Sequence, residues 1–416
     1  MENKKRTSPE PSRRVYLDYA ATTPVDPGVL AAMLPYFNEK AGNASEVHSF
    51  GTEARVAIEE ARSKVAEALG ASHKEIIFTS CATESINLAH KGLVETINNQ
   101  QSTINKTKPH IITTSIEHKA VIETCKHLEK LGWAEVTYLP VDSTGLIAVD
   151  QIEKAIRPET VLISIMYVNN EVGTIQPIEQ IGQLLKSINN KQLTINNRRI
   201  YFHTDATQAI QYLDCDVNRL GVDLMSLTGH KFHAPKGIGA LYVRQGIKLV
   251  RQQDGGGQES NRRAGTENVP YIVGLGEAIK VAQAQITNHK SQITRLRDRV
   301  IEGVLKIHGT RLTGPKDKRA PHIASFVIEG VEGEAILLLL NEYGVAASTG
   351  SACTAGDLNP SHVLTAMGFK PEESHGSLRF SLGKGTTEEE IDYVIKILPE
   401  VVGKIREIAP KLGDSV

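Results

Sequence analysis

The sequence predicts an α/β protein: a large, mostly parallel sheet with helices on both faces, followed by a smaller α/β segment. Three observations predict it. Short β-rich runs recur between about residues 75 and 243, most of them separated by helix-length stretches, as in βαβ units. Residues 269–308 read as long helices. A second, shorter alternation of strand and helix follows.

Taken in order, "EARVAIEEARSKVAEALG" (53–70) sets Ile58, Ala61, Val65 and Leu69 at helical spacing, with Gly70 placed to end the helix. The strand candidates are "EIIFTS", "HIITTS", "EVTYL", "VLISIMYV", "IYFHTD", "VDLMSL" and "GIGALYV". Two polar stretches, 98–108 and 189–199, are expected as exposed loop tips at helix-to-strand junctions, with no function assigned. Ile272, Leu275, Ile279, Ala282 and Ile286 share one face of the long helices. The smaller segment holds the strand "HIASFVIE", a helix through "EAILLLLNEYG", the strand "SLRFSLG" and a last helix opened by a Thr387/Glu390 capping box. The expected division is a large domain over 26–283 and a small domain made of 1–25 and 284–416.

At about 150 residues per domain, 416 residues allow two or three domains. Apolar residues make up 40%, charged residues 23%, and the net charge is −1. That is an ordinary soluble composition without the basic footprint of a nucleic-acid binder. No apolar run reaches the about 18 residues of a membrane span. The N-terminal "MENKKRTSPEPSRR" lacks the apolar core of a secretory signal and reads as a solvated tail. Cys81, Cys125, Cys215 and Cys353 lie far apart with no C-x-x-C pair, which fits reduced thiols and a cytoplasmic location. No directly bound metal is expected.

In a parallel sheet, ligands sit outside the carboxyl ends of the strands, so the residues after each apolar run are the candidates. In "FTSCATES" a helix begins at Ala82, Thr83 and Glu84, and its free N–H groups favour an anion; an ordinary helix cap by Ser80 or Thr83 fits as well. There is no G-x-G-x-x-G and no Walker lysine. In "HTDATQ", Asp205 ends a strand and needs a cationic or N–H partner, from the following turn or from a protonated ring nitrogen, and Gln208 follows it. Lys231, in "GHKFHAPKG", sits just past a strand, where an apolar setting turns an amine into a Schiff-base former. Thr228 and His230 beside it are candidate phosphate donors, while Lys236 reads as a solvated turn residue. An aspartate for a pyridinium nitrogen together with a Schiff-base lysine is the recurring protein contribution to pyridoxal phosphate (PLP) chemistry. His118, in "IEHKAV", is placed to stack on a flat ring and move protons, and a solvated histidine at a helix start fits the same pattern. Asn170, in "YVNNEVG", reaches the same sheet edge.

The small segment adds two more candidates. Cys353 lies in "ASTGSACTAGDLNPS", a small, polar loop that is an unusual place for a free cysteine, and an exposed thiol can serve as nucleophile. Arg379 interrupts an otherwise apolar strand and calls for a carboxylate, which an amino-acid substrate offers.

These motifs, with "YLDYAATTPVDP", "VNNEVGTIQP", "GGGQESNRRAGTEN" and "LRFSLGKGTTEEEID", make the chain resemble a cysteine desulfurase of the NifS/IscS type, a PLP enzyme of fold type I. The resemblance runs over nearly the whole chain. It implies that Lys231 carries PLP, Asp205 holds the pyridine nitrogen, Gln208 the ring hydroxyl, and His118 stacks on the ring as an acid/base. It implies that Ala82, Thr83, Thr228 and His230 hold the phosphate, and that Thr266 reaches the phosphate of the partner subunit in a homodimer. Asn170 and Arg379 would bind the carboxylate of L-cysteine, and Cys353 would take its sulfur as a persulfide. From there sulfur would pass to an iron–sulfur scaffold or another acceptor such as tRNA thiolation, with Cys353 meeting an iron–sulfur cluster only in transfer. The chain departs from the family pattern at Cys81, at Ala44 and Glu46, and at Asp254. A selenocysteine lyase is the nearest alternative, since it runs the same chemistry on selenium. A silent scaffold would lack the lysine or the cysteine, and an aminotransferase would not need the loop cysteine.

Overall fold

The computed structural model describes residues 13–100, 107–192, 199–350 and 360–408. Its strands are β1 (Val15–Tyr16), β2 (Ile76–Thr79), β3 (His110–Thr114), β4 (Glu135–Leu139), β5 (Thr160–Ser164) and β6 (Tyr201–Asp205). They continue with β7 (Leu224–Thr228), β8 (Gly239–Val243), β9 (Thr310–Leu312), β10 (Ile323–Ile328), β11 (Val345–Ala346) and β12 (Ser377–Ser381). The large sheet has seven strands in the order β2-β8-β7-β6-β5-β3-β4. All its pairs are parallel except those of β8, which is antiparallel to both neighbours. β2 therefore points the same way as β7, and the carboxyl ends of β2, β3, β5, β6 and β7 share one edge.

Each central strand is buried along nearly its whole length because it is covered twice. Alternate residues enter different cores, as the period of two in a strand requires. Phe78, Ile112, Ile163, Met225 and Tyr242 pack on one face, under the helices Ser49–Ala68 and Val269–Asn288. Ile77, Ile111, Leu162, Leu224 and Leu241 pack on the other, under Ala82–Gln100 and Lys119–Lys130. The first helix ends as expected, with Gly70 in the left-handed region at φ 62°. The polar stretches are partly helical: Ala82–Gln100 takes in residues 98–100 and Ile178–Gln192 takes in residues 189–192, while 101–106 and 193–198 lie outside the described residues.

β5 stops at Ser164, short of the run through Val168 that its apolar composition suggests. The chain continues beside β6, with the Ile165 and Tyr167 N–H groups donating to His203 and Asp205. On its other side the Met166 N–H meets the Glu117 carboxylate at 3.0 Å, so a side chain replaces the β3 ladder there.

The small sheet, β12-β10-β9, is antiparallel, and β1 pairs with β11 in parallel beside it. Val15 and Leu17 pack with Phe326, Phe380, Ile391 and Val394 in a core of their own. The N-terminal segment thus belongs to the second core while running back to the sheet edge of the first. The expected capping box forms: the Thr387 N–H donates to Glu390 at 2.9 Å, and the Glu390 N–H to the Thr387 hydroxyl at 3.3 Å.

The β2 edge of the large sheet is closed by an ion pair. Arg62 forks onto Glu259 at 2.7 and 2.9 Å, donates to the Ile76 carbonyl at 3.0 Å, and lies over the Phe78 ring. Glu259 in turn accepts the Phe78 N–H at 2.9 Å. Both side chains are buried, and Arg62 also reaches the half-exposed Glu59 at 3.0 Å, so the pair is satisfied by two carboxylates and the strand they cap. Glu259, Ser260 and Asn261 are all left-handed, at φ 47°, 57° and 63°, a costly run for residues with a Cβ. Glu259→Ala should therefore cost about 3–5 kcal/mol, because it leaves the buried Arg62 with only the half-exposed Glu59 as a charge partner and removes the acceptor of the Phe78 N–H. Urea unfolding beside Lys154→Ala, which breaks an exposed pair and should barely move the midpoint, checks this.

Candidate active site

One cavity of ≈ 380 Å³ opens at the carboxyl edge of the large sheet. Ten of the twelve residues singled out in the sequence line it: Ala82, Thr83, His118, Asn170, Asp205, Gln208, Thr228, His230, Lys231 and Arg379. They arrive from the ends of β2, β3, β5, β6 and β7 and from β12 of the small sheet. Thr266 is exposed and outside the cavity. Cys353 lies outside the described residues. Gly350, three positions before it, is in the cavity wall.

Lys231 follows β7 in a single tight turn, Gly229–Lys231. Its amine donates to the carbonyls of Ala20 and Ala21, both at 2.7 Å. Those carbonyls belong to the segment after β1, which is fixed from two sides. The Thr23 N–H donates to the His230 carbonyl at 2.8 Å, and the His233 N–H to the Thr23 hydroxyl at 2.7 Å. The Ala20 N–H donates to the Ser381 hydroxyl of β12 at 2.9 Å. The sequence contained this segment as "YLDYAATTPVDP" but gave its residues no role, because a backbone carbonyl leaves no trace in residue type.

Asp205 ends β6 and is 6% exposed. One carboxylate oxygen accepts the Thr207 N–H at 2.9 Å, and the other takes no hydrogen bond among the described residues. Both partners considered from the sequence thus have a place: the turn N–H takes one oxygen and leaves the second for a cation. Gln208 donates one N–H to the Ala20 carbonyl at 2.9 Å and accepts from His322 at 3.2 Å, which leaves its second N–H unused. His118 caps the helix Lys119–Lys130 by accepting the Ala120 N–H at Nδ1, at 3.1 Å. The bland role and the cavity-lining role coexist, and the cap sets the proton of the neutral ring on Nε2.

At the start of the helix Ala82–Gln100 no acceptor meets the Ala82 and Thr83 N–H groups among the described residues. They are paired with a helix dipole and face the cavity. His230 stands opposite, its Nδ1 3.3 Å from the Thr22 hydroxyl. Burial, followed by the charges of Lys231 and Lys236, pulls its pKa down to about 4, so it meets an anion as a neutral N–H donor. The Thr228 hydroxyl is 3.4 Å from the Ile238 carbonyl. Cys81, half-buried, is in the wall next to the helix start.

Arg379 has found a carboxylate within the chain. Its guanidinium meets Asp18 at 2.8 Å and donates to the carbonyls of Asn170 at 2.7 Å and Gly350 at 3.3 Å. Its Nε–H is buried with no partner among the described residues. Asp18 and Arg379 are 361 residues apart, which no local motif reveals.

What is left over defines what fits. The cavity offers an anion site at a helix start, a carboxylate oxygen awaiting a cationic N–H, an amide N–H awaiting an acceptor, and an amine at the strand end. PLP presents a phosphate, a ring nitrogen, a ring hydroxyl and an aldehyde, and it matches all four.

Glu117, beside His118, is a further residue the sequence did not single out. It is fully buried, accepts from Thr114 at 2.7 Å and from the Met166 N–H, and is raised from 4.5 to about 8, chiefly by burial. A carboxyl raised on folding stabilises fully below its unfolded pKa and loses that contribution as pH rises through the folded value. The parent should thus lose stability between pH 4.5 and about 8 relative to Glu117→Gln, which keeps the shape without the charge. Urea midpoints of both proteins at pH 5 and pH 8.5 measure it, and parallel pH profiles would refute it.

Residues 15–394 match the aminotransferase class-V family. A cysteine desulfurase IscS of Methanosarcina thermophila is 50% identical over 400 residues, covering 96% of this chain and 94% of the relative. A solved NifS-like protein superposes with TM-score 0.85 at 40% identity, covering 94% of this chain and 100% of its own. The structure of SspA in complex with cysteine superposes with TM-score 0.75 at 40% identity, covering 88% and 98%. With a cavity fitted to PLP and relatives aligned along nearly its whole length, the chain belongs to the aminotransferase class-V family and, within it, to the PLP-dependent cysteine desulfurases.

Proposed function

We propose that this cavity takes L-cysteine, passes its sulfur to Cys353 as a persulfide and releases L-alanine. The observation that carries the reading is the convergence of Lys231, Asp205, His118 and a free helix N-terminus in one cavity. When bound, PLP supplies an electron sink that acidifies the substrate Cα and loosens its Cβ–S bond. Asp205 holds the ring nitrogen protonated. Lys231, whose amine is aimed by the Ala20 and Ala21 carbonyls, would hold the cofactor aldehyde and would be the base for the Cα proton. Ala82, Thr83, Thr228 and His230 hold the phosphate. Asn170 and Arg379, both in the cavity wall, would receive the substrate carboxylate.

The thiolate of Cys353 attacks the substrate sulfur. The S–S bond forms as Cβ–S breaks, Cβ gains a proton, and the balance is cysteine plus thiol to alanine plus persulfide. A free thiol of pKa about 8.5 is only a few per cent ionised at pH 7, so the site must lower that pKa or take the proton. His118, with its Nδ1 in the helix cap and its proton on Nε2, is proposed to handle the proton on the substrate sulfur. Gly350, three positions before Cys353 in the sequence, lines the cavity.

The partner proposed for the site is a second copy of the chain. Leu30, Leu34, Phe37, Val47, Phe50 and Val56 are 47–93% exposed within one stretch of sequence. Phe37 meets Tyr271 of the helix that follows the Thr266 loop. These exposed apolar side chains, and the contact of Phe37 with the helix that follows Thr266, support a homodimer in which Thr266 would reach the other cofactor's phosphate. The acceptors proposed for the persulfide are iron–sulfur scaffold or thiolation proteins, and the compartment is the cytoplasm. No helix among the described residues is long and apolar enough to cross a membrane. The proposed division is 26–283 and 1–25 with 284–416; the two cores follow it except at Ala20, Tyr212, Ala320 and Ile323, which pack across it.

Lys231→Ala should lose both the visible colour of bound cofactor and all alanine release from L-cysteine. Cys353→Ala should keep the colour and lose sulfur transfer. Alanine and sulfide assays beside absorbance spectra check both, and sulfide release by Cys353→Ala at the parent rate would refute its role. Thr266→Ala should weaken PLP binding to the apoprotein without changing the sedimentation of the dimer.

A further inference from the structure

His322 stands behind the cavity and not in it. It is 2% exposed and immediately precedes β10 of the small sheet. Its ring stacks on Tyr212 at 4.1 Å and 15°, and its carbonyl accepts the Leu382 N–H at 2.8 Å. The side chain makes one hydrogen bond, from Nε2 to Gln208 Oε1 at 3.2 Å. Its Nδ1 is buried with no partner among the described residues.

The polarity of this chain of contacts is forced from the far end. The Ala20 carbonyl can only accept, and it receives both Lys231 Nζ at 2.7 Å and Gln208 Nε2 at 2.9 Å. The amide of Gln208 therefore turns its nitrogen to Ala20 and its oxygen to His322. That oxygen also can only accept, so the proton of His322 sits on Nε2. The opposite tautomer would set a lone pair against a lone pair and bury an N–H at Nδ1. Burial, then the charges of Arg379, Arg297 and Lys231, keep the ring neutral, with a pKa of about 3. His322 thus holds one donor in one direction across the whole working range of pH.

We propose that His322 is a positioning residue that locks the Gln208 amide, so that the second Gln208 N–H faces the ring hydroxyl of the cofactor only while the small sheet is seated against the large one. This rests on the assignment of Gln208 to that hydroxyl. His322 touches no reacting atom and acts through Gln208 alone.

The test is a double-variant cycle on the full-length protein, with PLP itself as the probe. His322→Phe keeps a ring to stack on Tyr212 and removes the donor. His322→Gln restores a donor at about the reach of Nε2. Gln208→Ala removes the group acted upon. The readouts are the dissociation constant of PLP for the apoprotein, the visible absorbance maximum of the loaded protein, and thermal unfolding of the apoprotein. His322→Phe should weaken PLP binding on the order of ten-fold, the worth of one ordinary hydrogen bond, and shift the absorbance maximum. His322→Gln should recover most of both, and in the Gln208→Ala background His322→Phe should add nothing. An unchanged His322→Phe, or an equal loss with Gln208 absent, overturns the inference. Should His322→Phe fail to fold, His322→Gln together with Gln208→Ala still decides it, since a parent-like spectrum is required of the first and not of the second. If Gln208→Ala itself leaves binding and spectrum unchanged, the assignment of Gln208 falls and the role of His322 with it; if only Gln208→Ala weakens binding, His322 alone is wrongly placed.

Discussion

Two peptide carbonyls, those of Ala20 and Ala21, each 2.7 Å from the amine of Lys231, are the contact on which the rest of the site depends. A lysine side chain has four rotatable bonds and about 2 kcal/mol of rotamer entropy to lose, so aiming it needs fixed acceptors. The parallel sheet cannot supply them, since its own carbonyls are spent in the ladder. They come from a segment that runs from the small core to the sheet edge. Ser381 and the loop of His230 and His233 stitch that segment in place from opposite sides. Asp18, two residues earlier, pairs with Arg379 in the same stitch. The amine, the carboxylate-seeking arginine and the amide of Gln208 thus share one short stretch of backbone.

The sheet was the most legible part of the chain. Residues such as Ile76, Ile77 and Phe78, or Ile111 and Ile112, send alternate side chains to different cores, and only a twice-covered strand tolerates such uninterrupted apolar runs. Once the strands were located, the rule that ligands meet their carboxyl ends pointed to nine residues that line one cavity, and the oddity of an arginine in an apolar strand added Arg379. The antiparallel course of β8 was not legible, because direction leaves no mark in composition. Nor was the early end of β5, where a single carboxylate, Glu117, takes over a ladder bond. The contacts of Asp18 with Arg379 and of Gln208 with His322 join residues 361 and 114 positions apart, and periodicity says nothing about such distances.

The charges of the cavity are arranged so that few of them are spare. Arg379 is held by Asp18 and two carbonyls, Lys231 by two carbonyls, and Glu84 at the helix start by Arg263 at 2.8 Å. His230 and His322 are kept neutral by burial and by the cations around them. Among the described residues, what remains open is one oxygen of Asp205 and the N–H groups of Ala82, Thr83 and Gln208. An anionic, flat, hydrogen-bonding guest is thereby admitted by complementarity to the few groups left unpaired, rather than by a broad field.

The stitching of Ala20 to Ser381 also sets an order of events during synthesis on the ribosome. Translation delivers the lysine and its sheet first and the hydroxyl that fastens the acceptor segment almost last. A nascent chain can complete the seven strands and the Thr23 contacts early, yet the second fastening of the segment that aims the amine waits for Ser381.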